Sequence, residues 1–443
     1  MKLNRTYNRY LTGAILIFAA TVCAVANPVN TRNENVVIQW NTLAIKLMLD
    51  AGPFIDSRAF AILHASIHDA VNGVERRYQP YTADVSSPGA SVDAAVVAAA
   101  HDVLIALSPS QQDKIEAEYA SALAAIPDGA AKQDGITLGQ RCAQANLDRR
   151  AADGVPVESF PPKSGSITQP VYVPTGEPGD YDFTPPFDGP PLGPIALLPG
   201  WGRLTPFGID LGNHRVPGPD RLSSQRYAFD LNYLKSFGGL NSTTRSADQT
   251  QTAFFWFENN ATWNQIADTV LLQGDADTWR SARVLALVNF AMADGAIACF
   301  AAKYQFRFWR PYTAIRRADE DGNPFTEADK SWLPLLWTDP DVIPPQFFIP
   351  PIPDYPSAAA VVSAAAAEVL IQNLGDYHQF HTTSQFLPGV TRYFRSFSQA
   401  ARENAMSRVY GGIHFLHAVN DGQREGRGIG RDISTMLPSV QYP

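Results

Sequence analysis

Apolar residues recur at three- and four-residue intervals through most of this chain, and alternation at every second position is scarce. In SRAFAILHASIHDAVNGV, Phe60, Leu63, Ile67 and Val71 share one helical face and Gly73 marks a stop, so helix is predicted across 34–75. Alanine-rich stretches at 90–127 and 131–152 combine good helix propensity with few breakers. The same period predicts helices at 223–236, 244–273, 277–305, 357–374, 388–415 and 418–434. Between 155 and 222 it fails: FPPKSG, TPPFDGPPLGP, LLPGWGRLTPFG and VPGPDR crowd proline and glycine together, which excludes helix and leaves few strand signals. That stretch is too apolar for a loose linker and reads as an ordered wrap over a helical body; a second loop is expected at 318–355. The class is all-α, helical bundles with long Pro/Gly-rich ordered loops. Residues 27–222 form an N-terminal part, and 223–443 a bundle that carries the chemistry.

With 45% hydrophobic and only 18% charged residues in 443, the chain is neither disordered nor a coiled coil. A net charge of -8 argues against nucleic acid as a partner, so clustered cations here are local devices. Residues 1–26 read as an export signal: Lys2, Arg5 and Arg9, then LTGAILIFAATVCAVA, then a small-x-small site at Ala24-Val25-Ala26. The other reading is a membrane anchor, for which the apolar stretch is short. No later segment reads as apolar enough to cross a bilayer, so a secreted or periplasmic protein is predicted. Cys23 leaves with the signal. Cys142 and Cys299 remain, either as a disulfide, which export permits, or as two buried thiols.

The chemistry gathers in three blocks. In KYQFRFWRP, Lys303 and Arg310 are expected on one helix face about 10 Å apart, Arg310 at the helix end because Pro311 cannot continue the ladder. Tyr304, Phe306, Phe308 and Trp309 between them point to burial, and buried cations call for an anion. In DYPSAAAVV, Ser357 opens a helix whose first amides can hold an anion, or it simply caps that helix. In SRVYGGIH, Arg408 and His414 are read on one helix loosened by Gly411-Gly412, with the imidazole able to ligate or attack. Together they suit a tetrahedral oxyanion. His64 and His68 have the spacing of metal ligands, but no third ligand is evident and packing is the preferred reading; Trp256 and Trp263 are read as core.

These blocks, in this order and at these gaps, resemble the signature shared by vanadium-dependent haloperoxidases and type-2 phosphatidic acid phosphatases. RAFAILHASIHDAVNGV, PGWGRLTPFG and FWRPYTAIR extend the resemblance to exported bacterial haloperoxidases of helical-bundle fold. The resemblance implies vanadate as cofactor, with phosphate able to occupy the same site. It implies His414 as the ligand to the metal, Lys303, Arg310 and Arg408 on the oxyanion oxygens, and hydrogen bonds from Ser357 and the amide of Ala358. Hydrogen peroxide, a halide and a small organic acceptor are the implied partners, with Lys303 polarising the peroxide. The family's middle block usually reads Pro-Ser-Gly-His; here Ala359 stands where the acid–base histidine is expected. Such a loss costs about 10²–10⁴ in rate, which makes bromide or iodide a more plausible substrate than chloride. Phosphatases of this kind commonly carry an acid four residues after the histidine, where this chain has Ala418. An acid phosphatase using His414 as nucleophile, or a non-catalytic oxyanion-binding homologue, are the alternatives.

Overall fold

A computed structural model describes residues 35–48, 53–154, 172–257, 260–337 and 347–440; the expected export signal lies outside them. The described residues are predominantly α-helical. The first five helices are α1 (Val36–Met48), α2 (Pro53–Val74), α3 (Val92–Leu107), α4 (Gln112–Ala124) and α5 (Ala130–Ala151). Pro109 divides α3 from α4, because its ring cannot sit in a helix interior. From 172 to 224 the chain is irregular apart from two short 3-10 turns, as the proline and glycine content requires. Then follow α6 (Gln225–Phe237), α7 (Ala247–Phe255), α8 (Asn260–Gln273), α9 (Thr278–Phe306) and the short α10 (Pro311–Arg316). After the loop before Ala358 come α11 (Ala358–Leu374), a β-hairpin of β1 (Phe380–Thr383) and β2 (Thr391–Phe394), α12 (Phe397–Tyr410) and α13 (Leu416–Ser434).

The hairpin corrects the helix expected from residue 388. Antiparallel pairing places Phe380 opposite Phe394, both buried, with His381 opposite an exposed Tyr393. A four-residue strand shows too few periods to be told from helix by spacing alone.

The 29-residue helix α9 is the axis of the molecule, buried almost continuously from Ser281 to Lys303. It is long and apolar enough to span a bilayer, contrary to the sequence expectation, yet 94% of its most apolar window is buried inside the protein. Its neighbours α2, α11 and α13 surround it. The α11–α13 contact is a backbone seam: a Cβ added to Gly422, Gly426 or Gly430 would lie 2.9, 2.1 and 2.6 Å from Ser357 O, Val361 O and Ala365 O. Only glycine permits that approach, and it fixes the start of α11 against the start of α13.

His64 and His68 are packing residues. His64 Nε2 lies 2.9 Å from Asn41 Oδ1, His68 Nε2 lies 2.9 Å from Gln79 O, and burial pushes the His64 imidazole down to about 3. No group of metal-ligating side chains occurs among the described residues. Cys142 and Cys299 are free buried thiols, and Trp256 and Trp263 are fully buried core.

Candidate functional site

Neither pair of charged residues shares one helix, as their spacing had suggested. Helix α9 ends at Phe306, where Arg307 turns left-handed (φ 52°), and Arg310 stands in extended conformation just before α10. Pro311 at the first position of α10 explains the restart. Likewise α12 ends at Tyr410. Gly412 then takes φ 75°, with room for a Cβ only 2.3 Å from Gly238 O, and His414 lies in the loop before α13. Asp230 of α6 anchors that loop by accepting the amides of Leu416 and His417, each at 2.8 Å. The breaks turn the side chains inward. Lys303, Arg310 and Ser357 are fully buried, and Arg408 and His414 nearly so.

Main-chain oxygens hold the cations. Arg310 donates to Ile352 O and Ile413 O, both at 2.7 Å, and to Pro350 O at 3.0 Å. Lys303 Nζ donates to Pro353 O at 2.6 Å and Asp354 O at 2.9 Å. Arg408, in the last turn of α12, donates to Trp256 O. Burial brings the Lys303 ammonium down to about 8, with the Arg310 charge adding to the effect. His414 is held well below its usual range, first by burial and then by the charges of Arg310, Lys303 and Arg408. All three cations therefore act on one neutral imidazole.

Ser357 occupies the N-cap position of α11, yet its hydroxyl makes no capping bond. Its Oγ is buried without a partner among the described residues, while its amide donates to Ala418 O at 3.0 Å. Ala358 begins α11, so its amide is among the first-turn donors that no helix carbonyl accepts. An unpartnered buried hydroxyl beside a helix start, three cations and a neutral imidazole make a donor set that fits a tetrahedral oxyanion such as vanadate or phosphate. Those residues would be Lys303, Arg310, Ser357, Ala358, Arg408 and His414.

Two buried acids went unremarked in the sequence. Asp354 lies 2.9 Å from His414 Nδ1 and 3.8 Å from Arg310 Nη1, and burial pushes its carboxyl up to about 7. Glu425 of α13 has two oxygens unpartnered among the described residues and feels the charge of Lys303, with burial raising it to about 8. Of the other histidines in this half of the chain, His378 bonds Leu374 O and His381 is exposed on β1. His417 pairs with Asp230, Nδ1 to Oδ2 at 2.7 Å. Asp421 on α13 accepts the Tyr355 hydroxyl at 2.6 Å.

Glu425 leads to a prediction. Its carboxyl keeps its proton to about pH 8 when folded, against an ordinary value of 4.5, so the unfolded chain binds fewer protons across that window. Stability then falls as pH rises from 4.5 toward 8, by up to about 1.4 kcal/mol per unit. Glu425→Gln should flatten this slope, losing about 1–4 kcal/mol less than wild type between pH 5 and 8 in urea unfolding. Parallel slopes in the two proteins would refute it.

Residues 283–441 match the family described as the VCPO second helical-bundle domain. The vanadium chloroperoxidase of Curvularia inaequalis is 27% identical over 415 residues, which take in 76% of this chain and 65% of that protein. This chain is homologous to the vanadium-dependent haloperoxidases. It spans about two thirds of that relative's length. Among solved structures, the first bacterial vanadium-dependent iodoperoxidase superposes with a TM-score of 0.74 at 24% identity, covering 92% of this chain and 97% of its own. A holo-type bacterial vanadium-dependent chloroperoxidase gives 0.66 at 16%, covering 87% and 92%. The haloperoxidase fold thus extends well before residue 283, into the helices around α2 and the Pro/Gly-rich wrap.

Proposed function

We propose that this haloperoxidase homologue binds vanadate and oxidises halide with hydrogen peroxide. The observation that carries the reading is His414, kept neutral beside three buried cations, with Nε2 3.1 Å from Arg310 Nη1. When bound, vanadate supplies a Lewis-acidic centre that activates hydrogen peroxide toward a halide. The chain supplies the rest. His414 offers a lone pair, Arg310 and Arg408 place fixed positive charge, and Ser357 and the Ala358 amide donate hydrogen bonds. Lys303, on a flexible stem, is the cation suited to polarise peroxide. This charge is preorganised, because the arginines and the lysine are already held by backbone. Ala359 supplies no proton donor, which favours the easily oxidised bromide and iodide over chloride. It also counts against phosphoester hydrolysis, as does Ala418 after the histidine.

Protein loaded with orthovanadate should oxidise bromide or iodide only when peroxide is added. Ester hydrolysis inhibited by vanadate would support the phosphatase instead, and tight vanadate binding with neither activity would mark a binding protein. Ser357→Ala provides a finer test. Since Oγ has no partner among the described residues, its removal should leave thermal stability unchanged or slightly raised. Vanadate binding should weaken about 10–100-fold, the worth of one hydrogen bond to a charged acceptor. Undiminished affinity by titration calorimetry would take Ser357 out of the site.

A further inference from the structure

A second concave site opens between the first turns of α6 and α13, as a cleft of about 360 Å³. None of the residues assigned to the oxyanion lines it. Its base is firmly held. His417 pairs with Asp230 at 2.7 Å and Asp421 accepts the Tyr355 hydroxyl at 2.6 Å, and the His417 and Asp421 side chains are only 10% and 9% exposed. Phe229 of α6 also lines the cleft, yet it is 66% exposed. That ring is braced: it stacks on Tyr233 at 6.2 Å, and Tyr233 stacks on Phe237 at 4.6 Å. Helix α6 thus carries an aromatic column that ends at the cleft.

The lining restricts the chemistry of a ligand. Charge is balanced inside the cleft, because Asp220 pairs with Arg226 at 2.9 Å, Asp421 with Arg424, and His417 with Asp230. A net anion would meet the two carboxylates and a net cation the two arginines, so neither is favoured. Hydrogen-bonding capacity is left over, however. Among the described residues the side-chain amides of Gln225 and Asn420 make no hydrogen bond, and the paired carboxylates and guanidinium groups keep spare lone pairs and N–H groups. A wholly apolar ligand would leave these groups unanswered, which weakens binding. Hydroxyls both donate and accept, and so answer all of them. The exposed ring calls in addition for a face of C–H groups, which the negative face of an aromatic ring attracts. A sugar ring offers both on one small body.

We propose that this cleft binds a neutral saccharide, with one pyranose ring lying on Phe229 and its hydroxyls held by Gln225, Asn420 and the two Asp–Arg pairs. The site uses none of the oxyanion groups and stands or falls without vanadate.

Saturation-transfer difference NMR on the whole protein tests it. The probes are methyl β-glucoside, methyl β-galactoside, methyl α-mannoside and N-acetylglucosamine, with benzoate and choline as charged controls. At least one sugar is expected to bind, with transfer strongest to the C–H groups of one ring face, and neither control is expected to bind. Phe229→Ala and Asn420→Ala alter exposed side chains, so both variants should keep the fold, which circular dichroism checks. Each should weaken that sugar about 2–10-fold, the worth of one ring contact or one neutral hydrogen bond. Tyr377→Ala, which removes an exposed ring elsewhere, should leave the affinity unchanged. Absence of transfer to all of these sugars would overturn the proposal. So would sugar binding that Phe229→Ala leaves undiminished, which would place it elsewhere on the protein. Benzoate or choline binding that is lost in Phe229→Ala would also overturn it, by making the cleft a site for a charged ligand.

Discussion

His414→Ala should empty the protein of vanadium. Wild type loaded with orthovanadate and passed through gel filtration is expected to retain the metal, and the variant to retain none by elemental analysis. His414 is the imidazole that the three buried cations face, and burial together with their charge favours its neutral form, which carries a lone pair. The other groups assigned to the oxyanion are cations and hydrogen-bond donors, which hold its oxygens and do not bond the central atom. Losing a partner that merely orients a ligand histidine costs about 10–100-fold in metal affinity, so losing the histidine itself should cost more than about 100-fold. Phosphate, which needs no such bond, should be affected far less. That contrast separates ligand loss from general damage to the pocket, and vanadium retained at wild-type level would refute the assignment.

Arg310→Met should give the largest stability loss. The guanidinium ties the loop before α11 to the loop before α13 by donating to Pro350 O, Ile352 O and Ile413 O. Methionine fills the stem but leaves three carbonyls without that donor, at about 1–3 kcal/mol for each one buried and unsatisfied. Relief of the buried charge offsets part of this, so a net loss of about 3–5 kcal/mol is expected from urea unfolding without any oxyanion. Arg310→Lys keeps the charge but cannot reach all three oxygens, and should fall between. A loss below about 1 kcal/mol for the methionine variant would mean that water replaces the guanidinium.

The helices and the three blocks were legible because both rest on local pattern: a 3.6-residue period, and charged residues set among aromatics. The breaks were less so. Spacing put Lys303 with Arg310, and Arg408 with His414, on continuous helices, whereas Arg307 and Gly412 end those runs with positive φ. Pro311 and Gly411-Gly412 were the available signals, and they mark an interruption without giving its direction. Asp354 could not be singled out, since an acid before a Tyr-Pro pair reads as an ordinary turn residue; only the fold brings it to His414. Glu425 was hidden for the opposite reason. It lies on a strongly amphipathic helix whose many charges suggest a solvated face, yet its own position is buried, within range of the Lys303 charge.

The oxygens that grip Arg310 and Lys303 all belong to peptide groups, at 350, 352, 353, 354 and 413. Every amino acid carries that acceptor. The grip on both cations therefore depends on the path the backbone takes through this turn, and a substitution that keeps that path keeps the acceptors in place.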